Sequence, residues 1–194
     1  MNVLDLEETD GRRRRSLDSR ARIVNAMLEL TRETAVAPSA EQVAQRAGVG
    51  LRTVFRHFQD MDSLYSEIAR PFESELRLWA QRPFKGATWQ DRVFELIARR
   101  GTAFETVAPL RRASDAMRHN SAVLQAQHAV LTTSLRTILR GLIPKGAVDV
   151  STFEALDLLL GYEAWSRLRR EQGLSPAQAR KTLQTAVKAL VGGG

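Results

Sequence analysis

The sequence predicts an all-α protein, with a three-helix N-terminal head and a larger helical C-terminal part, about nine helices in all, and three observations lead there. Between Ser39 and Leu64 the chain reads as two short helices around a glycine turn, followed by a third helix. From Asp60 onward, apolar residues recur at helical spacing between Ser, Thr, Pro and Gly boundaries, and no stretch alternates convincingly as a strand. At 194 residues the chain has room for a small head and a companion domain, placed at residues 18–65 and 66–194 behind an arm of residues 1–17.

The arm divides by charge. Asp5, Glu7, Glu8 and Asp10 lead, Gly11 follows, and Arg12, Arg13, Arg14 and Arg15 close it. Such blocks are usually solvated and disordered, and a disordered basic arm can also lay its arginines in a DNA minor groove. Further on, Ser39 and Gln42 form a capping box that starts a helix at Ala40. Val43, Ala44 and Ala47 share one face of it, small enough to let a second helix come close. Gly48 ends that helix in the left-handed conformation a tight turn needs, and Val49 plugs the corner. The next helix, Leu51 to Phe58, turns Val54 and Phe58 inward and leaves Leu51, Arg52, Thr53, Phe55, Arg56 and His57 outward or at the edges.

That outward face suits a major groove. Arg52 can reach a guanine edge, Thr53 a base or phosphate, and Arg56 and His57 the backbone phosphates. The N-terminal turn of the preceding helix, Ser39, Ala40 and Glu41, together with Gly50 and the four arm arginines, completes the expected DNA-facing set.

The remaining helices follow from their boundaries. One runs from Met61 to Gln81 and stops before Pro83. Thr88 and Asp91 open another to Val107, Pro109 separates it from a short segment over Leu110–Arg118, and Ser121 caps the next, to Leu142. Ser151 and Glu154 start a long helix to Gln172; Gly173 closes it, and Ser175 and Pro176 open the last, to Val191. The final glycines are expected to be disordered.

Composition narrows the function classes. The formal net charge of +7 favours an anionic partner. Cysteine is absent, which removes disulfides and thiolate metal sites and suits a reducing cytoplasm. No signal peptide or membrane span is visible, so a soluble cytoplasmic protein that meets no membrane is expected. An enzyme is disfavoured: His119 and His128 fall on opposite faces of any shared helix, no carboxylate stands at metal-ligand spacing, and no phosphate loop or nucleophile elbow occurs. No cofactor and no catalytic residue is expected.

The run AGVGLRTVFRHF, Ala47 to Phe58, with Leu64 beyond it, resembles the tetracycline-repressor (TetR) family of transcription regulators, and the likeness extends over Arg20 to Ile68. RIVNAMLELTRE is similar to the family's first helix, with Ile23, Met27 and Leu30 as its buried stripe. Several positions depart from the family pattern: Gly50 stands where a capping serine is usual, Phe55 where a tyrosine is, Met61 where a lysine is and Thr31 where a phenylalanine is frequent, and Leu51 and Thr34 also differ from the commonest choices. The resemblance implies a homodimer on a palindromic double-stranded operator, acting as a repressor that a small-molecule effector releases. A protein partner in place of the effector is the alternative.

The last two helices are apolar on more than one face, and the resemblance implies that Phe153, Leu156, Leu160, Leu183, Val187 and Leu190 pair with a second copy in a four-helix bundle, with packing inside one chain as the alternative. It also implies an effector cavity among the middle helices, for which Trp79, Trp89, Phe104, Met117, Tyr162 and Trp165 are the candidate lining, with Glu105, Asp115 and His119 as candidate polar contacts.

Overall fold

The computed structural model describes residues 3–33 and 37–192. Among them are nine α-helices and no strand: α1 (Val3–Glu33), α2 (Ala40–Ala47), α3 (Leu51–His57), α4 (Met61–Gln81), α5 (Trp89–Arg118), α6 (Ala122–Leu142), α7 (Val150–Leu159), α8 (Tyr162–Ser166) and α9 (Pro176–Val191), with a π-helical segment, Arg167–Glu171, directly after α8.

The chain forms two compact units, one of residues 1–73 and 109–125, the other of residues 74–108 and 126–194. The first is therefore larger than the three-helix head read from the sequence. Ile23 and Met27 of α1, Val43 and Ala44 of α2, Val54 of α3 and Leu64 and Ile68 of α4 share one core with Ala113 of α5 and Leu124 of α6. The Ser121 hydroxyl, which also caps α6 by accepting from Leu124 N at 3.1 Å, donates to Asp62 of α4 at 2.5 Å. In the second unit Val93, Ile97 and Phe104 of α5 pack with Leu139 of α6, Phe153 and Leu156 of α7, Trp165 of α8 and Leu183 and Val187 of α9.

Three boundaries differ from those expected. First, α1 begins at Val3, so residues 3–17 are helical where a disordered arm was expected. A glycine inside a helix costs about 1 kcal/mol relative to alanine, and Gly11 is the single glycine in the 31 residues of α1. Second, Pro109 lies inside α5, which continues to Arg118 as one helix. The proline forfeits one backbone hydrogen bond, and buried Phe104 before it and Ala113 after it anchor the two ends in separate cores. The boundary between the units falls at this proline.

Third, the long helix expected over Ser151–Gln172 starts earlier and breaks. Asp149 is its cap, accepting from Thr152 N at 2.8 Å, and the helix stops at Leu160–Gly161 before α8 begins. The interruption is held by Arg100 of α5, a buried side chain whose Nη1 donates to the Leu160 carbonyl at 2.8 Å and whose Nη2 donates to the Leu135 carbonyl. A carbonyl freed by a broken helix needs such a donor when it is buried. The count of nine thus agrees with expectation because one fused pair of helices offsets one broken helix.

The apolar surplus of the last helices is also spent differently. Phe153, Leu156, Leu160, Leu183 and Val187 are buried within the single chain, and Leu190 is half-buried against the same core. Phe153, Leu156, Leu160, Leu183 and Val187 are thus packed into the core of their own chain, and of the six residues expected at a dimer surface Leu190 alone keeps partial exposure. The apolar side chains that α7 leaves in solvent are Val150, 76% exposed, and Leu158, 70% exposed.

Candidate nucleic-acid interface

The turn between α2 and α3 sets the geometry of the site. Ser39 Oγ accepts from Gln42 N at 3.3 Å while Gln42 Oε1 accepts from Ser39 N at 2.8 Å, the reciprocal capping box. At the other end Gly48 takes φ 62° and ψ 40°, and Val49 N donates to the Ala44 carbonyl at 3.0 Å. Arg22 of α1 secures this corner: its Nη2 donates to the Gly48 carbonyl at 2.9 Å and to that of Ala47. Nothing in the sequence singled out Arg22, because its partners are backbone carbonyls contributed 25 and 26 residues later.

With α2 fixed, α3 presents a defined outer face. Val54 and Phe58 are buried beneath it, and Gly50 caps its start without a side-chain hydrogen bond. Arg52 and Arg56 are exposed, as are Leu51 (38%) and Phe55 (46%), with Thr53 and His57 half-buried at the edges. Nearby cations are committed to carboxylates: Arg46 binds Glu33 at 2.6 Å and Glu29 at 3.3 Å, and Arg20 binds Glu67 at 2.8 Å while lying 4.8 Å over the Phe58 ring. Arg52 and Arg56 have no acidic partner among the described residues. Their guanidinium charges are free to meet an anion.

Other members of the expected set fare unevenly. The Ala40 methyl belongs to the core of the first unit, so only its backbone remains to face DNA. Ser39 and Glu41 are exposed; hydrogen bonds from its own backbone and from Ser39 hold the Glu41 carboxyl below its usual range, so it stays ionised and suits a base donor rather than a phosphate. His57 Nε2 is buried with no hydrogen-bond partner among the described residues, and burial, reinforced by Arg56 and Arg20, pushes its pKa down. These causes favour the neutral imidazole. Arg13, Arg14 and Arg15 are exposed on α1; the Arg12 side chain lies outside the described residues.

The candidate effector residues are only partly gathered. In the second unit Phe104 and Tyr162 meet edge to face at 5.5 Å between ring centroids, and buried Trp165 donates from Nε1 to Glu105 Oε1 at 2.8 Å. Glu105 also accepts from Arg169 at 2.8 and 3.0 Å, so its carboxylate is committed. Trp89 packs half-buried against this core, and Trp79 is half-buried. Met117 packs instead against the core of the first unit. Asp115 pairs with Arg111 and Arg118 on its own helix, and His119 is exposed. Sequence reasoning missed Arg100, although a charged residue on the stripe Val93, Leu96, Ile97, Arg100, Phe104 was a readable signal.

The described chain thus comprises a helix-turn-helix in the first unit and a second unit that is also all-helical. No family profile and no curated protein matches the sequence. Among solved structures the chain is similar to a candidate TetR-family transcriptional regulator from Mesorhizobium loti, at 19% identity and a TM-score of 0.52, over 92% of this chain and 96% of that one. It is also similar to a candidate transcriptional regulator from Streptomyces coelicolor, at 22% identity and a TM-score of 0.49, over 89% and 97%. The first of these likenesses shows that the chain has the TetR-type all-α fold. None of its described helices is long and apolar enough to cross a membrane.

Proposed function

We propose that this protein is a cytoplasmic, non-enzymatic transcription regulator that binds a palindromic operator as a homodimer, represses, and is released by a small-molecule effector. The observation that carries the DNA reading is the outer face of α3, where Arg52 and Arg56 stand exposed, without acidic partners among the described residues, on a helix positioned by the Gly48 turn. Arg52 reads a base edge, and Arg56, Thr53 and His57 hold phosphates. The exposed arginines of α1 add sequence-independent attraction. A single short helix gives too small an interface for specificity, which is the argument for two copies on a twofold axis. Val150 and Leu158 are the apolar side chains of α7 available to that contact.

Release follows from helix continuity. The helix α4 runs from the first unit into the second, so a shift of its second half on effector binding alters the separation of the two copies of α3. An effector that weakens operator binding 100-fold must discriminate the two states by about 2.7 kcal/mol. The test is selection of bound duplexes from a randomised DNA library at near-physiological salt. A two-fold symmetric consensus supports a specific dimeric reader, and recovery of no enriched sequence rejects it.

A further inference from the structure

On the outer face of α3 the side chains fall into two ridges. Arg52 and Arg56 form a basic one, and beside it Leu51 and Phe55, also one turn apart, form an apolar one. Both apolar residues are exposed, while the inward side of the helix is already filled by Val54 and Phe58. Neither Leu51 nor Phe55 is needed by the core of the head, and neither has a polar atom with which to hold a phosphate or a base edge. An apolar ridge flanked by exposed cations fits a surface that is polyanionic yet offers apolar points. In the major groove of duplex DNA those points are the C5 methyl groups of thymine.

We infer that Leu51 and Phe55 read thymine methyl groups and so add A·T preferences to the half-site contacted by Arg52. The inference rests on the DNA reading above and deepens it. Residues four apart on a helix are about 6 Å apart along its axis, close to two base-pair steps of about 3.4 Å, so the two side chains meet methyls about two steps apart when α3 lies along the groove. The contact is dispersive and hydrophobic, and it discriminates by the presence or absence of one methyl group.

The experiment runs the duplex selection in two parallel pools, one copied with thymidine triphosphate and one with deoxyuridine triphosphate, using the full chain. Uracil pairs as thymine does and lacks only the methyl. The thymine pool is expected to yield A·T pairs at one or two positions in each half-site that the uracil pool does not enrich. Single thymine-to-uracil changes at those positions should weaken Kd about fourfold each, the worth of one buried methyl. Phe55→Ala and Leu51→Ala should each bind the thymine and uracil duplexes equally at one of these positions. The base change leaves the protein untouched, so the folding of a variant does not enter the main result. Identical consensus sequences and affinities from the two pools overturn the inference while leaving the DNA reading standing. No enrichment from either pool overturns both.

Discussion

Replacing Gly48 by alanine attacks the corner on which the position of α3 depends, and its cost can be worked from the geometry. At φ 62° the backbone is left-handed, which costs a residue bearing a Cβ about 1–2 kcal/mol. The added Cβ also lies 2.7 Å from Arg22 Nη2. A guanidinium at the end of a flexible side chain can move away, but it then leaves the Ala47 and Gly48 carbonyls. Because that site is partly exposed, the loss is about 1–2 kcal/mol, at the low end for charged hydrogen bonds. The sum is about 2–4 kcal/mol. The assay must isolate the first unit, and all three tryptophans (Trp79, Trp89, Trp165) lie in the second, so fluorescence follows the wrong part. Amide hydrogen exchange in α2 and α3 serves instead. Exchange through unfolding of the head should accelerate roughly 30- to 700-fold in Gly48→Ala. The double variant with Arg22→Ala should lose less than the sum of the single losses, since both remove the same hydrogen bonds. Acceleration below about fivefold, or strict additivity, would refute the reasoning.

Two residues further on, Gly50 presents the opposite case: its φ is −71° and no atom lies within 4 Å of an added Cβ. Gly50→Ser should therefore stabilise the head by a few tenths of a kcal/mol by supplying the missing cap, and slower exchange in α3 is the readout. Arg100→Met should destabilise the second unit by about 1–3 kcal/mol, because the buried Leu160 and Leu135 carbonyls lose a charged donor; tryptophan fluorescence in urea measures it, and a gain in stability contradicts the role. His57 has a folded pKa below its unfolded value of about 6.5, so the unfolded state binds more protons between the two. Its contribution to stability is complete above about pH 6.5 and is lost as pH falls through the lowered folded pKa. His57→Gln should flatten that limb of the stability profile, and an unchanged slope counts against a buried neutral imidazole.

The parts of this molecule that the sequence disclosed are those whose signals are local. Ser39 with Gln42 and Gly48 before Val49 each specify a backbone conformation within a few residues, and α2, its turn and α3 stand where those residues place them. Thr88 with Asp91 and Ser175 before Pro176 did the same for α5 and α9. What could not be read depended on distant partners. Pro109 looked like a boundary because its missing N–H is a local fact, whereas the cores into which the residues before and after it pack are built by other elements of the chain. The break at Leu160 exists because Arg100, sixty residues earlier, satisfies the freed carbonyl. Phe153, Leu156 and Val187 were apolar enough to suggest a partner, and only the arrangement of α5, α6, α7 and α9 shows that they are consumed inside one chain. Within the site, the identities of Arg52 and Arg56 were legible, but their freedom from acidic partners was not. That emerged when Arg20 and Arg46 were seen to take Glu67, Glu29 and Glu33.

The measurement that bears most directly on base reading by α3 is duplex selection repeated with Arg52→Ala beside the parent protein. Arg52 is exposed, so the variant should fold and retain its phosphate contacts. The account predicts a consensus that becomes degenerate at one position in each half-site, at symmetric places, with the parent's preferred base there worth about 1–3 kcal/mol to the parent and nothing to the variant. A variant that keeps the parent consensus and merely binds every duplex more weakly would show that Arg52 touches the backbone, and the outer face of α3 would no longer be the reader.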